Sequence, residues 1–382
     1  MLSSITTIAN QLYRKGYLGV NYRLRTFAGG RYASTCRPTD IVFLLTEFCN
    51  ARCVHCDIWK NKGRGRENVL TVDRLKETLS EIRSWLGPVQ VTFSGGEALL
   101  RPYTPEVIAH GSSIGLSIEV LTHGYWDDQS RIEKLAMANP NRVTVSLDAI
   151  GDTHSRIRGR DRFFEKTTTT IDTLKRIRKE HNLDFVIRLK TVIMEQNLEE
   201  VHKVAEFANQ PGMHVFYQPI EQNYNTPDDP VWFEHSENWP QDSAKAVKVV
   251  EHLIELKRRG FPIDNNDAQL EVMKTYFLNP ESSRVTVQAH SAHERRAVCT
   301  ALTFMQIQPN GDVMSCCSSP VIGNLNSTSI REIWSKRPHW WENGCCLERR
   351  CGEAEKEHLH LVSSIAGAGE MKDSGGVPHG KF

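Results

Sequence analysis

The chain has 382 residues, 39% of them hydrophobic and 24% charged, which is matter for roughly two or three domains and excludes global disorder. Lys plus Arg number 47 against 46 Asp plus Glu, so the basic excess that neutralises phosphates is missing and no nucleic-acid partner is expected. The longest apolar run, Ile41 to Leu45, cannot span a bilayer, and the first residues form neither a basic leader nor a continuous apolar stretch; the expectation is a soluble, cytoplasmic protein.

Residues 1–39 hold no Asp or Glu but do hold Arg14, Lys15, Arg23, Arg25, Arg31 and Arg37. Within them Leu2, Ile5, Ile8, Ala9 and Leu12 recur at helical spacing, which predicts a short amphipathic helix with a basic flank. Two readings stand: a helix docked on the main domain, or a peripheral contact with an anionic membrane surface or lipid-like substrate. From residue 40, short β-rich runs alternate with longer helical ones. Strands are expected at 41–48, 89–94, 117–122, 142–148, 185–193 and 214–220, with helices between them such as 71–86, opened by Thr71 as N-cap, and 167–181. Alternating strands and helices give a parallel sheet. Six units fall short of the eight of a closed barrel, so the fold class is α/β: a partial (β/α)6 TIM-like barrel with a small cysteine-rich C-terminal domain. The active site belongs at the C-terminal ends of the strands.

The polar stretch 221–240, with Trp232 and Trp239, reads as an ordered lid, followed by a helix near 243–259. Asn310-Gly311 between two short β-runs signals a hairpin. The Gly- and Ser-rich end reads as a disordered tail. The expected division is a basic N-terminal segment (1–39), the partial barrel (40–220), lid and linking helices (221–296), a cysteine-rich domain (297–352) and the tail (353–382).

Ten cysteines in a chain with no export signal read as metal ligands and not as disulfides. Cys49, Cys53 and Cys56 follow the first strand. Three thiolates from one loop, with no fourth partner, fit a cubane iron–sulfur cluster with one open iron; a zinc knuckle borrowing His55 or a remote cysteine is the alternative. The C-x₃-C-x₂-C spacing, followed by Gly95-Gly96-Glu97 at the end of the second strand, resembles the radical S-adenosylmethionine (SAM) enzymes from about residue 40 to 220. The resemblance implies that Cys49, Cys53 and Cys56 hold a [4Fe–4S] cluster whose fourth iron is chelated by SAM. It also implies reductive cleavage of SAM to a 5′-deoxyadenosyl radical, with electrons from a flavodoxin- or ferredoxin-type donor. Gly95, Gly96 and Glu97 match the motif that receives the SAM amino group. Ser146 and Asp148 match ribose-contacting positions, or else cap a turn. Thr122, His123 and Gly124 contact SAM or simply turn the chain. Arg158, in an H-x-x-x-R-G stretch from His154, either reaches the SAM carboxylate or is a solvated charge. Arg188, Lys190 and Gln218 alternate toward the cavity for SAM or substrate.

The C-terminal stretch with Gly311-Asp312-Val313, Ile322-Gly323-Asn324-Leu325 and Glu332-Ile333-Trp334 resembles the SPASM and twitch extensions of that family, which carry auxiliary [4Fe–4S] clusters. Six cysteines, four of them in adjacent pairs, favour one auxiliary cluster on Cys299, Cys316, Cys346 and Cys351, with Cys317 and Cys345 as substitutes; a zinc site on the same thiolates is the alternative. The expected activity is hydrogen abstraction from a small molecule, lipid or carbohydrate, leading to oxidation, epimerisation or carbon–carbon bond formation. The alternatives are maturation of a ribosomal peptide or protein and, third, a non-enzymatic electron carrier. The acid-free N-terminal segment and the lack of room for a peptide-recognition domain before the first strand lean toward the first. The catalytic residues proper are left unassigned.

Overall fold

The computed structural model describes residues 2–26, 32, 35–60, 69–224, 226, 229, 231–280, 302–315 and 320–337. Six strands, β1 (Asp40–Leu44), β2 (Gln90–Ser94), β3 (Ser117–Thr122), β4 (Arg142–Ser146), β5 (Val186–Ile193) and β6 (Met213–Pro219), pair in parallel in chain order. Alternation sorts their side chains into two layers. One carries Ile41, Phe43, Val91, Phe93, Ile118, Val120, Val143, Val145, Ile187 and Leu189, all buried in the main core. The helices α2 (Val72–Leu86), α3 (Thr104–Ser113), α4 (Ser130–Met137), α5 (Asp152–Arg158), α6 (Phe163–Glu180) and α7 (Lys203–Ala208) return the chain between strands. Thr71 caps α2 as expected, its hydroxyl accepting from Arg74 N at 3.2 Å. Helix α6 begins four residues before the expected start: Arg162 turns the chain in the left-handed region and Phe163 is buried beneath the cysteine loop.

The inner layer is polar. Glu119 Oε1 accepts from Thr144 Oγ1 at 2.6 Å and from Arg188 Nη2, while its Oε2 takes Gln90 Nε2 at 3.2 Å and Arg142 Nη1 at 3.5 Å. This network seals the barrel interior below the strand ends. It satisfies a buried carboxylate that would otherwise be strongly unfavourable.

The C-terminal hairpin completes the sheet. β7 (Phe304–Ile307) and β8 (Asp312–Met314) are antiparallel about the turn at Gly311, φ +89°, as the Asn-Gly pair predicts, and β9 (Gly323–Asn324) follows. β7 lies parallel beside β1, in register Asp40 to Phe304 and Phe43 to Ile307, so the open sheet has nine strands in the order β6-β5-β4-β3-β2-β1-β7-β8-β9. Physically, β1 would otherwise expose an unpaired edge. The buried Phe304, Met305, Gln306 and Ile307 cover it, and helix α9 (Ile330–Ser335) ties the join through Trp334 Nε1 donating to Cys36 O at 3.0 Å. At the other edge the chain after α8 (Ser243–Arg258) pairs with β6: Asn265 Oδ1 accepts from Tyr217 N and its Nδ2 donates to Tyr217 O, both at 2.8 Å.

The N-terminal helix α1 (Leu2–Thr26) is longer than expected and docks by a different face. Tyr13 Oη donates to Leu86 O at 2.8 Å, Tyr17 Oη to Pro38 O at 2.7 Å, and Asn21 Oδ1 accepts from Arg37 N at 2.7 Å. Ile8 and Leu12, expected at the contact, stand in solvent at 56% and 65% exposure.

Candidate active site

Cys49, Cys53 and Cys56 lie on the loop that leaves β1, packed with Ala51, Phe163 and Tyr125. The motif residues hold this loop from all sides. Gly96 N donates to Thr46 O at 2.8 Å and Glu97 N to Phe48 O at 2.9 Å, while Arg52 N and Val54 N donate to Arg158 O and Ile157 O at 3.0 and 2.9 Å. The glycines are needed for that approach. A Cβ on Gly95 would sit 2.4 Å from Thr46 O and one on Gly96 2.2 Å from Phe48 O. A Gly96→Ala variant is therefore expected to push the loop off β2. Its iron content and SAM cleavage should both fall by at least about tenfold, since sub-ångström displacement of reacting groups has effects of that order; unchanged values would show that the loop relaxes freely.

Glu97 is buried, its Oε1 accepting from Leu99 N at 3.0 Å and its Oε2 from His123 N at 2.8 Å. Burial lifts its carboxyl to about 7 against these bonds. His123 clamps the loop: Nδ1 accepts from Tyr125 N at 2.9 Å, so Nε2 carries the hydrogen and donates to Asn50 Oδ1 at 2.7 Å. Burial holds this ring neutral, with its pKa down to about 3. Asn50 escaped the sequence reading, its one signal being its place beside Cys49.

Asp148 and Arg158 are turned toward each other. Asp148 Oδ1 accepts from Val192 N at 3.0 Å and Oδ2 pairs with Arg158 Nη2 at 2.7 Å, while Arg158 Nη1 donates to Cys53 Sγ at 3.6 Å. Burial opposes the charge on Asp148, yet the guanidinium wins and keeps its pKa below the ordinary value. Asp148 has 0% exposure and Arg158 is buried. Arg158 is thus not a solvated charge: the pair ties β4, β5 and the cysteine loop together.

The groups open to the cavity stand at the strand ends. Ser146 and Lys190 share a register level on β4 and β5, and Gln218 lies on β6. Burial, with help from Arg188, lowers the Lys190 ammonium to about 8. Gln218 Oε1 and His55 Nδ1 are buried with no hydrogen-bond partner, the mark of a site made for a polar ligand. Part of the 221–240 stretch closes over the loop as an ordered lid. Asn223 Nδ2 and Asn238 Nδ2 each donate to Val54 O at 3.0 Å, Asp57 N donates to Tyr224 O at 3.0 Å, and Trp239 packs edge-on against Trp232 and Tyr276.

The donor set suits an iron–sulfur cluster. Burial pushes all three thiols up, Cys56 to about 11, so they stay neutral thiols until a metal centre displaces their protons. Among the described residues no three His, Cys, Asp or Glu stand close enough for a single ion. His55 senses Asp148, Arg158 and Lys190 across the barrel end. Cys299, Cys316, Cys317, Cys345, Cys346 and Cys351, and the tail 353–382, lie outside the described residues.

A parallel α/β sheet whose first strand feeds a three-cysteine loop, with glycines and a carboxylate ending the second, defines a cluster-bearing, SAM-dependent enzyme. The family model described as the radical SAM superfamily matches residues 43–208, and the SPASM model, an iron–sulfur cluster-binding domain, matches 299–353. An AdoMet-dependent heme synthase of Methanosarcina barkeri is 30% identical over 314 residues, 79% of this chain and 83% of that protein. The subtilosin biosynthesis protein AlbA of Bacillus subtilis is 25% identical over 330 residues, 82% of this chain and 65% of that protein. Streptococcus suis SuiB, solved with SAM bound, superposes with a TM-score of 0.58 at 13% identity, covering 83% of this chain and 72% of that one. The chain belongs to the radical SAM superfamily, with a SPASM C-terminal extension. Its cofactors are SAM, the [4Fe–4S] cluster that binds it and an iron–sulfur cluster in the C-terminal region. No helix among the described residues is long and apolar enough to cross a membrane.

Proposed function

We propose that the enzyme modifies a ribosomal peptide or protein, and that Cys49, Cys53 and Cys56 ligate the SAM-binding cluster. Held there, the cluster and SAM would supply radical hydrogen abstraction from the substrate. The protein's part is positioning. Gly95 and Gly96 admit the loop, Glu97 offers its remaining lone pairs to the SAM ammonium, and Ser146 faces the ribose. Asp148 and Arg158, assigned to SAM by the resemblance, hold the loop. Cys299, Cys316, Cys346 and Cys351 are assigned to the auxiliary cluster, and a flavodoxin- or ferredoxin-type protein to electron supply; the match of the SPASM model to 299–353 supports the former.

The observation that carries the peptide reading is the lining of the barrel mouth. Of the inner positions nearest the strand ends, Ser94, Ser146, Lys190 and Gln218 are polar, Leu44 and Leu121 are apolar, and Phe216 is covered by Arg188 at 5.4 Å. Such walls suit backbone amides and polar side chains. AlbA, whose name places it in bacteriocin biosynthesis, aligns with most of this chain. The likeness to AlbA, together with the polar groups at the mouth, supports a peptide over the small molecule, lipid or carbohydrate expected from the sequence. A second reading, a tetrapyrrole, is favoured by the identity and two-sided coverage of the heme synthase, with Lys190 available to a carboxylate side chain. To separate them, reconstituted enzyme, SAM and reductant are incubated anaerobically with a pool of peptides deuterated at Cα and Cβ, or with Fe-coproporphyrin III. Deuterium in 5′-deoxyadenosine from the peptides supports the first reading. Consumption of the porphyrin, with no transfer from peptides, overturns it in favour of the second.

A further inference from the structure

Helix α1 has two faces, and the polar one is turned inward. The face toward the barrel runs through Asn10, Arg14, Tyr17, Asn21 and Leu24, all at least partly buried, and its contacts are hydrogen bonds from tyrosine and asparagine to backbone. The opposite face, offset by half a turn, runs through Ile8, Leu12, Lys15, Tyr22 and Arg23, all exposed. Ile8, Leu12 and Tyr22 are 56%, 65% and 61% exposed. A helix that merely docks would show the reverse order, apolar in and polar out. Single exposed apolar residues are ordinary; three on one face, interleaved with cations, form a pattern.

Charge selects the occupant. Six of the chain's 47 basic residues and none of its 46 acidic ones fall in residues 1–39, so the rest of the chain is net acidic by five. Two of the six, Lys15 and Arg23, stand on the outward face of α1 beside Ile8, Leu12 and Tyr22. An interfacial helix needs this combination, with bulky apolar groups to enter the headgroup layer and Lys or Arg to meet anionic lipid. A second copy of the chain would set the same cations against each other. The placement also fits. Tyr17 and Tyr13 bond to Pro38, just before β1, and Leu86, just before β2. The helix therefore lies at the N-terminal end of the strands, opposite the cysteine loop and the barrel mouth.

We propose that the outward face of α1, through Ile8, Leu12 and Tyr22 with Lys15 and Arg23, is a peripheral docking surface for an anionic membrane, which holds the enzyme with its mouth facing away from the lipid. The face recruits the enzyme to the membrane and does not admit substrate, so docking and chemistry are separable.

The test uses the full-length holoprotein, sedimented with vesicles of phosphatidylcholine alone or mixed equally with phosphatidylglycerol, at low and high salt. Binding is expected to the anionic vesicles only, weakening as salt screens the cations. Each Lys or Arg near such a surface strengthens binding roughly fivefold, so Lys15→Glu/Arg23→Glu should lower partitioning by at least about 25-fold. Ile8→Ser/Leu12→Ser should lower it as well, from the loss of apolar insertion. Both variants touch exposed side chains, and their iron content and SAM cleavage should match the wild type. Wild-type protein that ignores anionic vesicles overturns the proposal, as does undiminished binding by both variants. Self-association of the wild type that the variants abolish, without lipid binding, assigns the face to a second copy and overturns it too.

Discussion

Alanine at Cys49, Cys53 and Cys56 together is expected to remove one cubane's worth of iron and sulfide, retain the iron of the C-terminal cluster, and drop SAM cleavage to background. The loop itself should survive. Its position rests on backbone bonds from Gly96, Glu97, Arg52 and Val54 and on the Asn50–His123 clamp, none of which needs a thiol. No other described thiol can substitute: Cys36 is buried before β1, at the opposite end of the strands, with its sulfhydryl on Asn21 O at 3.6 Å. Anaerobic iron and sulfide analysis, electron paramagnetic resonance and a 5′-deoxyadenosine assay check the result. Unchanged iron in the triple variant would refute the ligand assignment. Complete loss of iron would leave the C-terminal cysteines as a zinc or structural site, with no second centre to take an electron from the substrate.

The strands were legible because their burial is two-layered. Ile118, Val120, Val143 and Val145 alternate with Glu119 and Thr144, and that period marks β3 and β4 to within a residue or two at each end. The cysteine and Gly-Gly-Glu motifs were legible because their chemistry is local. What escaped was long-range. Nothing in Phe304–Ile307 says that it will pair with β1 from more than 250 residues away; only the closure of the sheet edge requires it. Which face of α1 docks was not legible, because Tyr13 and Tyr17 have the reach to find backbone carbonyls while the aliphatic Ile8 and Leu12 stay exposed. The ion pair between Asp148 and Arg158 was not legible either, because sequence spacing does not show which charges face each other.

That last pair yields the largest expected effect on stability. Asp148 and Arg158 are both buried and 2.7 Å apart, so removing one partner leaves the other as an uncompensated charge, which costs about 3–5 kcal/mol. Asp148→Asn and Arg158→Met should each lower the unfolding free energy by about that amount in urea titrations of the cluster-free protein. The double variant should lose less than the sum, because the second change removes the stranded charge left by the first. The pH dependence has a definite sign. The folded pKa of Asp148 lies below its ordinary value, so its contribution is fully present above the unfolded carboxyl pKa, roughly 3.9, and is lost as pH falls through the depressed folded value. The gap between wild type and Asp148→Asn should therefore be flat at neutral pH and close only in acid. Arg158→Met carries a second consequence, since its guanidinium also meets Cys53 Sγ. A cation beside a thiolate stabilises it, so this variant should lose iron faster than Asp148→Asn when challenged with a chelator. Single variants as stable as wild type would show that water or neighbouring groups satisfy these charges, and equal iron loss in both would confine the role of Arg158 to Asp148.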